Sequence, residues 1–199
     1  VGFGVLIALA WQRSARAMFI SVAIVALLAA TAWIGEAQVV LKQETYAHQG
    51  VPLAYRDRIW AMGIEAFKRF PVAGVGIDNY NLISYDLVRE WRASRGLAYD
   101  QPQHARFGHG HSLYINTLAE RGVLGSLPLA ALLLAWLVAL WRGRPPPEAA
   151  AQAWLLWGGS ASAFMVTAGI GLANTTLHHE HGILATLLLG LWLSQLRKR

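Results

Sequence analysis

Residues 123–141 read VLGSLPLAALLLAWLVALW, nineteen positions without a single charge. At about 1.5 Å per residue a helix of that length reaches about 28 Å, close to the roughly 30 Å hydrocarbon core of a bilayer. The stretch therefore reads as a transmembrane helix. The same test selects Ala17 to Gly35 and Trp154 to Ala173 as full spans. Gly182 to Leu196 is shorter and crosses if the bilayer thins or its flanks snorkel. Val1 to Ala10 reads as the tail of an earlier span, and with Val rather than Met at position 1 further membrane helices are expected upstream. The expected fold is all-α, a polytopic transmembrane bundle carrying a helical loop subdomain.

Composition agrees. Apolar residues make up 55% of the 199 and charged residues only 14%, which is not the balance of an ordinary soluble domain. Nine tryptophans suit the lipid–water boundary, and the absence of cysteine leaves the redox compartment open. The formal charge of +6 does not point to nucleic acid, because no basic cluster stands beside an aromatic stacking platform.

The positions of the cations set the orientation. Arg13 and Arg16, Arg142 and Arg144, and Arg197, Lys198 and Arg199 fall in three short connections or ends, all on one side, as cytoplasmic segments do. Threading the spans then divides the chain into 1–35, membrane helices; 36–122, one long extracytoplasmic loop; and 123–199, three membrane helices with short connections. The loop holds ten Lys/Arg and nine Asp/Glu, which is compatible because long translocated loops escape the positive-inside rule.

Inside the loop, Trp60, Ile64 and Phe67 stand at helical spacing, so a helix is expected from Asp57 to Phe70, stopped by Pro71. Gly74 and Gly76 then mark a tight turn or a close backbone approach. Leu82 to Trp91 reads as a second helix. Arg95 to Gly110, rich in Gly, Gln and His, reads as a mobile connection, with His104 and His109 as loop residues. His111 opens the apolar helix that enters the membrane at Val123.

His111 is the first candidate for chemistry. An imidazole just outside the bilayer can take a proton from a hydroxyl, although a helix-start or interfacial histidine would occupy the same place. Arg56 and Arg58, two apart and just ahead of the first helix, can fork onto one anionic group. They can equally bind lipid headgroups or pair with Asp57. Glu120 and Arg121 lie nine and ten residues beyond His111 and cannot all share one helical face with it. Glu120 is thus expected to orient or support. His178, His179, Glu180 and His181 form the most metal-like cluster, yet the spacing is not HExxH and no third ligand is evident, so it reads as an interfacial turn rather than a metal site.

Two segments together resemble the O-antigen ligase family, which shares its membrane domain with O-antigen polymerases and bacterial O-linked protein oligosaccharyltransferases. The first runs Arg56-Asp-Arg-Ile-Trp60, then Pro71 followed by Gly74-Val-Gly76-Ile-Asp-Asn79. The second is His111-Ser112, nine residues, Gly122, two residues, Gly125. The resemblance covers about Tyr55 to Gly125, and Arg95 to Gly110 matches no motif, so acceptor preference does not carry over.

The resemblance implies transfer of a glycan from undecaprenyl diphosphate to a hydroxyl acceptor, such as a lipid A-core sugar, on the periplasmic side of the bacterial inner membrane. It implies no cofactor and no metal. Arg56 and His111 would be the catalytic pair, with Arg56, Arg58 and Arg121 on the diphosphate. Trp60, Gly74, Gly76, Asn79, Ser112, Glu120, Gly122 and Gly125 would shape the site. Polymerisation and transfer to a protein are the neighbouring enzymatic readings. A scaffold that merely binds membrane lipids is the non-enzymatic one. The nearly uncharged spans count against an ion-coupled carrier.

Overall fold

The computed structural model describes residues 55–177 and 179–196. The expected spans at 1–10 and 17–35, the first part of the loop, His178 and the basic C-terminal tripeptide lie outside the described residues. Among those described, every regular element is helical.

The loop subdomain begins with α1, Arg56–Arg69. The expected helix is present, shifted one residue towards the N-terminus, but its buried stripe is not the expected one. Ile59, Met62, Gly63 and Ala66 face inward, whereas Ile64 is 40% exposed. The register is set by partners that α1 meets later in the chain. The Tyr80 ring and Ile115 press on Gly63, where a Cβ would meet the phenol oxygen at 2.9 Å. Glu65 sits buried among Lys68, Arg92 and Arg95, pairing with all three. Burial alone would raise the Glu65 pKa. The hydrogen bonds and charges of Arg95 and Lys68 outweigh it and hold the carboxyl below its ordinary value.

The second loop helix also differs from expectation. A 3₁₀ turn, Tyr80–Leu82, precedes α2, Tyr85–Ala93. The helix starts late because the Ser84 hydroxyl accepts the Leu87 N–H at 3.2 Å, an N-cap that a hydropathy reading passes over. Val88 and Trp91 complete a small core with Ile59, Met62, Tyr80 and Ala119. Nor does 95–110 hang loose. Ala105 N–H donates to Arg58 O, the Arg106 guanidinium donates to Asn81 O, and the His104 ring is buried and stacked on Tyr99 at 5.1 Å.

The membrane-type helices follow. Helix α3 runs Leu113–Arg142 and α4 runs Ala151–Gly169, continued by a 3₁₀ turn, Ile170–Leu172. These two, with the 3₁₀ extension, are long and apolar enough to cross a membrane. The last helix, α5, is His179–Leu196. Their shared core is Trp136, Leu140, Ala163, Ala185 and Trp192. The Trp136 indole N–H donates to Ser160 Oγ at 2.9 Å and that of Trp157 to Leu140 O at 2.9 Å. Polar atoms are thus paired inside the bundle, as a low-dielectric surround requires.

Helix α3 is one run with a break in it. Gly122 takes φ 57°, ψ −152°, outside any helix. An unbroken helix would bond Val123 N–H to Ala119 O and Leu124 N–H to Glu120 O. Instead, Val123 and Leu124 donate to Pro71 O at 2.8 Å and Val72 O at 3.0 Å. The released carbonyls of Ala119 and Glu120 accept from Val75 and Gly76, both at 2.9 Å. The 71–76 loop is spliced into the helix, and these four displaced backbone groups all keep a partner.

The two glycines facing one another across this splice have no substitute. Gly74, at φ 69°, would drive a Cβ into the backbone of Glu120 and Arg121. Gly122 would drive one into the backbone of Pro71 and Val72. Both are positive-φ positions where only glycine is unstrained.

Candidate functional site

His111 lies two residues before α3, not at its first turn. Ser112 is the N-cap, its hydroxyl accepting the Ile115 N–H at 3.4 Å. His111 itself has φ 44°, a conformation rare for a residue with a side chain. It is held there from both sides. Gly110 N–H donates to Asn116 Oδ1 at 2.8 Å, and the His111 N–H donates to His109 Nδ1 at 3.3 Å.

Its ring is packed among aromatics. The centroid is 4.2 Å from that of His109 and 4.4 Å from that of Phe107, which is half exposed. His109 Nδ1 in turn lies 3.1 Å from Thr175 Oγ1, in the connection between α4 and α5. That connection and the end of α4 hold the same corner at further points. Leu113 N–H donates to Asn174 O at 3.0 Å and the Tyr114 hydroxyl donates to Ala168 O at 2.7 Å. The turn from Asn174 and the end of the long loop therefore meet at one end of the helices.

Arg56 is the first residue of α1, and its positive charge reaches His111. The imidazole is pushed down to about 4, first by burial, then by His109 and by Arg56. At neutral pH it is uncharged and able to accept a proton. The Arg56 Nε is buried without a hydrogen-bond partner, and so is the indole nitrogen of Trp60. Four residues apart, these donors share a face of α1. Buried N–H groups without acceptors are costly and uncommon, and a row of two, one on the arginine whose charge reaches His111, suits an anion rich in oxygen.

The remaining candidates occupy different places. Arg58 is inside α1 rather than ahead of it, so helical geometry turns it about 200° from Arg56. Its guanidinium lies over the Tyr55 ring at 5.1 Å. Arg121 is exposed at the helix break with its stem packed along Gly125. Neither is among the charges acting on His111. Glu120 is buried, accepting the Tyr80 N–H at 3.3 Å. Asn79 donates through Nδ2 to Val75 O at 3.0 Å and lies against Gly76, fastening the spliced loop. His181, expected in an interfacial turn, instead lies in the first turn of α5 and lines a cavity of about 340 Å³ between α4 and α5, together with Thr167 and Thr176.

Phe107, His109 and Thr175 belong to the constellation; the sequence alone presents His109 as a loop residue and does not single out Phe107 or Thr175. The His-Gly-His alternation at 109–111 was the available signal. Thr175, more than sixty residues away, had none.

The family described as O-antigen ligase matches residues 1–130 of the chain, ending within α3 just past the helix break. No curated protein matches it.

Proposed function

The chain belongs to the O-antigen ligase family, and on that premise we propose that it transfers a glycan from undecaprenyl diphosphate to a hydroxyl acceptor, with the 36–122 loop on the periplasmic side of the bacterial inner membrane. The family supports a membrane-bound glycosyl-transfer activity of the ligase or polymerase type. Donor, acceptor and residue roles are our reading. The observation that carries it is the pairing of Arg56, whose Nε is buried and unpartnered, with a His111 that feels its charge.

In this reading the diphosphate of the donor lies along α1 and accepts from Arg56 Nε and the Trp60 indole. The acceptor hydroxyl oxygen attacks the anomeric carbon while the bond from that carbon to the diphosphate oxygen breaks. The electron pair leaves on the phosphate, where the guanidinium stabilises it, and the hydroxyl proton passes to His111. A single displacement inverts the anomeric centre. The depressed basicity of His111 suits the resting site, and donor binding corrects it. Two phosphate charges beside Arg56 offset the cation and raise the proton affinity of the imidazole when the acceptor needs a base.

His111→Ala in the full-length protein should lower glycan transfer in membranes by about 10²–10⁴-fold at equal protein level, the usual worth of a general base. Undiminished transfer would remove His111 from the chemistry. Arg56→Lys keeps the charge and loses the planar fork and Nε, so it should also be strongly impaired. A lipid A-core acceptor predicts that a deletion strain accumulates unattached lipid-linked polymer. Shortened chains would favour polymerisation instead.

A further inference from the structure

The loop between α1 and α2 carries apolar side chains that water would not favour: Val72 is 62% exposed, Ile77 69% and Leu82 62%. Isolated exposed apolar residues are ordinary, but these sit on a backbone spliced to the start of an apolar span. The 123–141 run has about 28 Å of helix to cross about 30 Å of hydrocarbon, so it has no length to spare. Val123 and Leu124 must then stand at the edge of the hydrocarbon. Pro71 and Val72, hydrogen-bonded to them, stand at the same depth.

Two further features fit that depth. The backbone here is paired as a poorly hydrated segment demands: beyond the four splice bonds, Gly74 N–H donates to Phe70 O, while Val75 O and Gly76 O accept from Asn79. Cations flank the apolar tip. The Arg69 guanidinium lies over the Phe70 ring at 5.5 Å, and Arg121 is exposed across the splice. An apolar tip with a basic collar is how a segment lying in the interface is held.

We propose that Pro71 to Leu82 is a membrane-seated wedge: Val72 and Ile77 enter the apolar margin of the leaflet nearest α1, and Arg69 and Arg121 lie among anionic lipid headgroups. The occupant of this surface is the bilayer itself. The inference depends on α3 crossing the membrane and not on the transfer chemistry, so either can fail without the other.

These 199 residues contain no cysteine, so once any cysteine elsewhere in the full-length protein is replaced by serine, one introduced thiol is the only label site. Nitroxide would be attached at Val72→Cys, Ile77→Cys and, as the control on exposed α2, Glu90→Cys, in the full-length protein reconstituted in phosphatidylethanolamine–phosphatidylglycerol vesicles. Collision with oxygen, which concentrates in lipid, is compared with collision with a water-soluble nickel chelate. Labels at 72 and 77 should favour oxygen several-fold more than the label at 90. Free access of nickel to 77, equal to that at 90, would overturn the proposal. So would exclusion of both agents at 72 and 77, which would mean that protein covers the patch.

Discussion

At the scale of single residues, the site turns on an imidazole kept uncharged by its surroundings. His111 is forced down to about 4 by burial, His109 and Arg56. The acid limb of kcat/KM, which reports the free enzyme, should therefore fall near that value and not near 6.5. His109→Gln removes one of the depressing charges, so its limb should move to higher pH, measurable in the pH profile of kcat/KM. A profile that stays in place would show that His109 does not tune His111. Thr175→Val breaks the contact of His109 with the α4–α5 connection and should reduce transfer with little change in protein level. Arg56 and His111 could be picked out as candidates because each stands at or just ahead of a helix start beside a recognisable motif. Phe107 and Thr175 were not, since stacking and long-range hydrogen bonds leave no periodicity behind.

At the scale of elements, the splice at Gly122 ties a loop and a helix into one unit. Gly74→Ala and Gly122→Ala each impose a left-handed conformation on a residue with a Cβ, worth about 1–3 kcal/mol, before the backbone collision is counted. Each should lower the thermal unfolding midpoint of the full-length protein in detergent. The double variant should lose less than the sum, because the first change already undoes the shared bonds. Glu65→Gln acts on the neighbouring pair of helices. The folded-state pKa of Glu65 lies below its ordinary 4.5, so its contribution is full above that value and fades as pH falls through the folded one. The variant should unfold earlier than the parent at neutral pH, with the gap closing under acid. Sequence spacing located α1 within one residue but chose the wrong face of it. Apolar periodicity ranks Trp60, Ile64 and Phe67 highly, yet Gly63 and a buried carboxylate decide the register through partners that lie far along the chain.

For the whole molecule, helices long and apolar enough to cross a membrane were readable from the sequence, and α3 and α4 have that length. The loop's internal architecture was less readable, since Ser84 and Gly122 act through hydrogen bonds that hydropathy does not register. Sidedness is open to a direct measurement. With single thiols at Asp100 and Glu148 in cells, a membrane-impermeant maleimide applied from the periplasm should label the first and spare the second; the reverse pattern would invert the proposed topology. The broken helix also has a consequence for how such chains can vary in length. One residue added between Ser112 and Gly122 would swing the imidazole about 100° around the axis and lift it by about 1.5 Å, while the splice pins the lower end in place. That interval behaves as a calibrated stem between bilayer and base, intolerant of insertion.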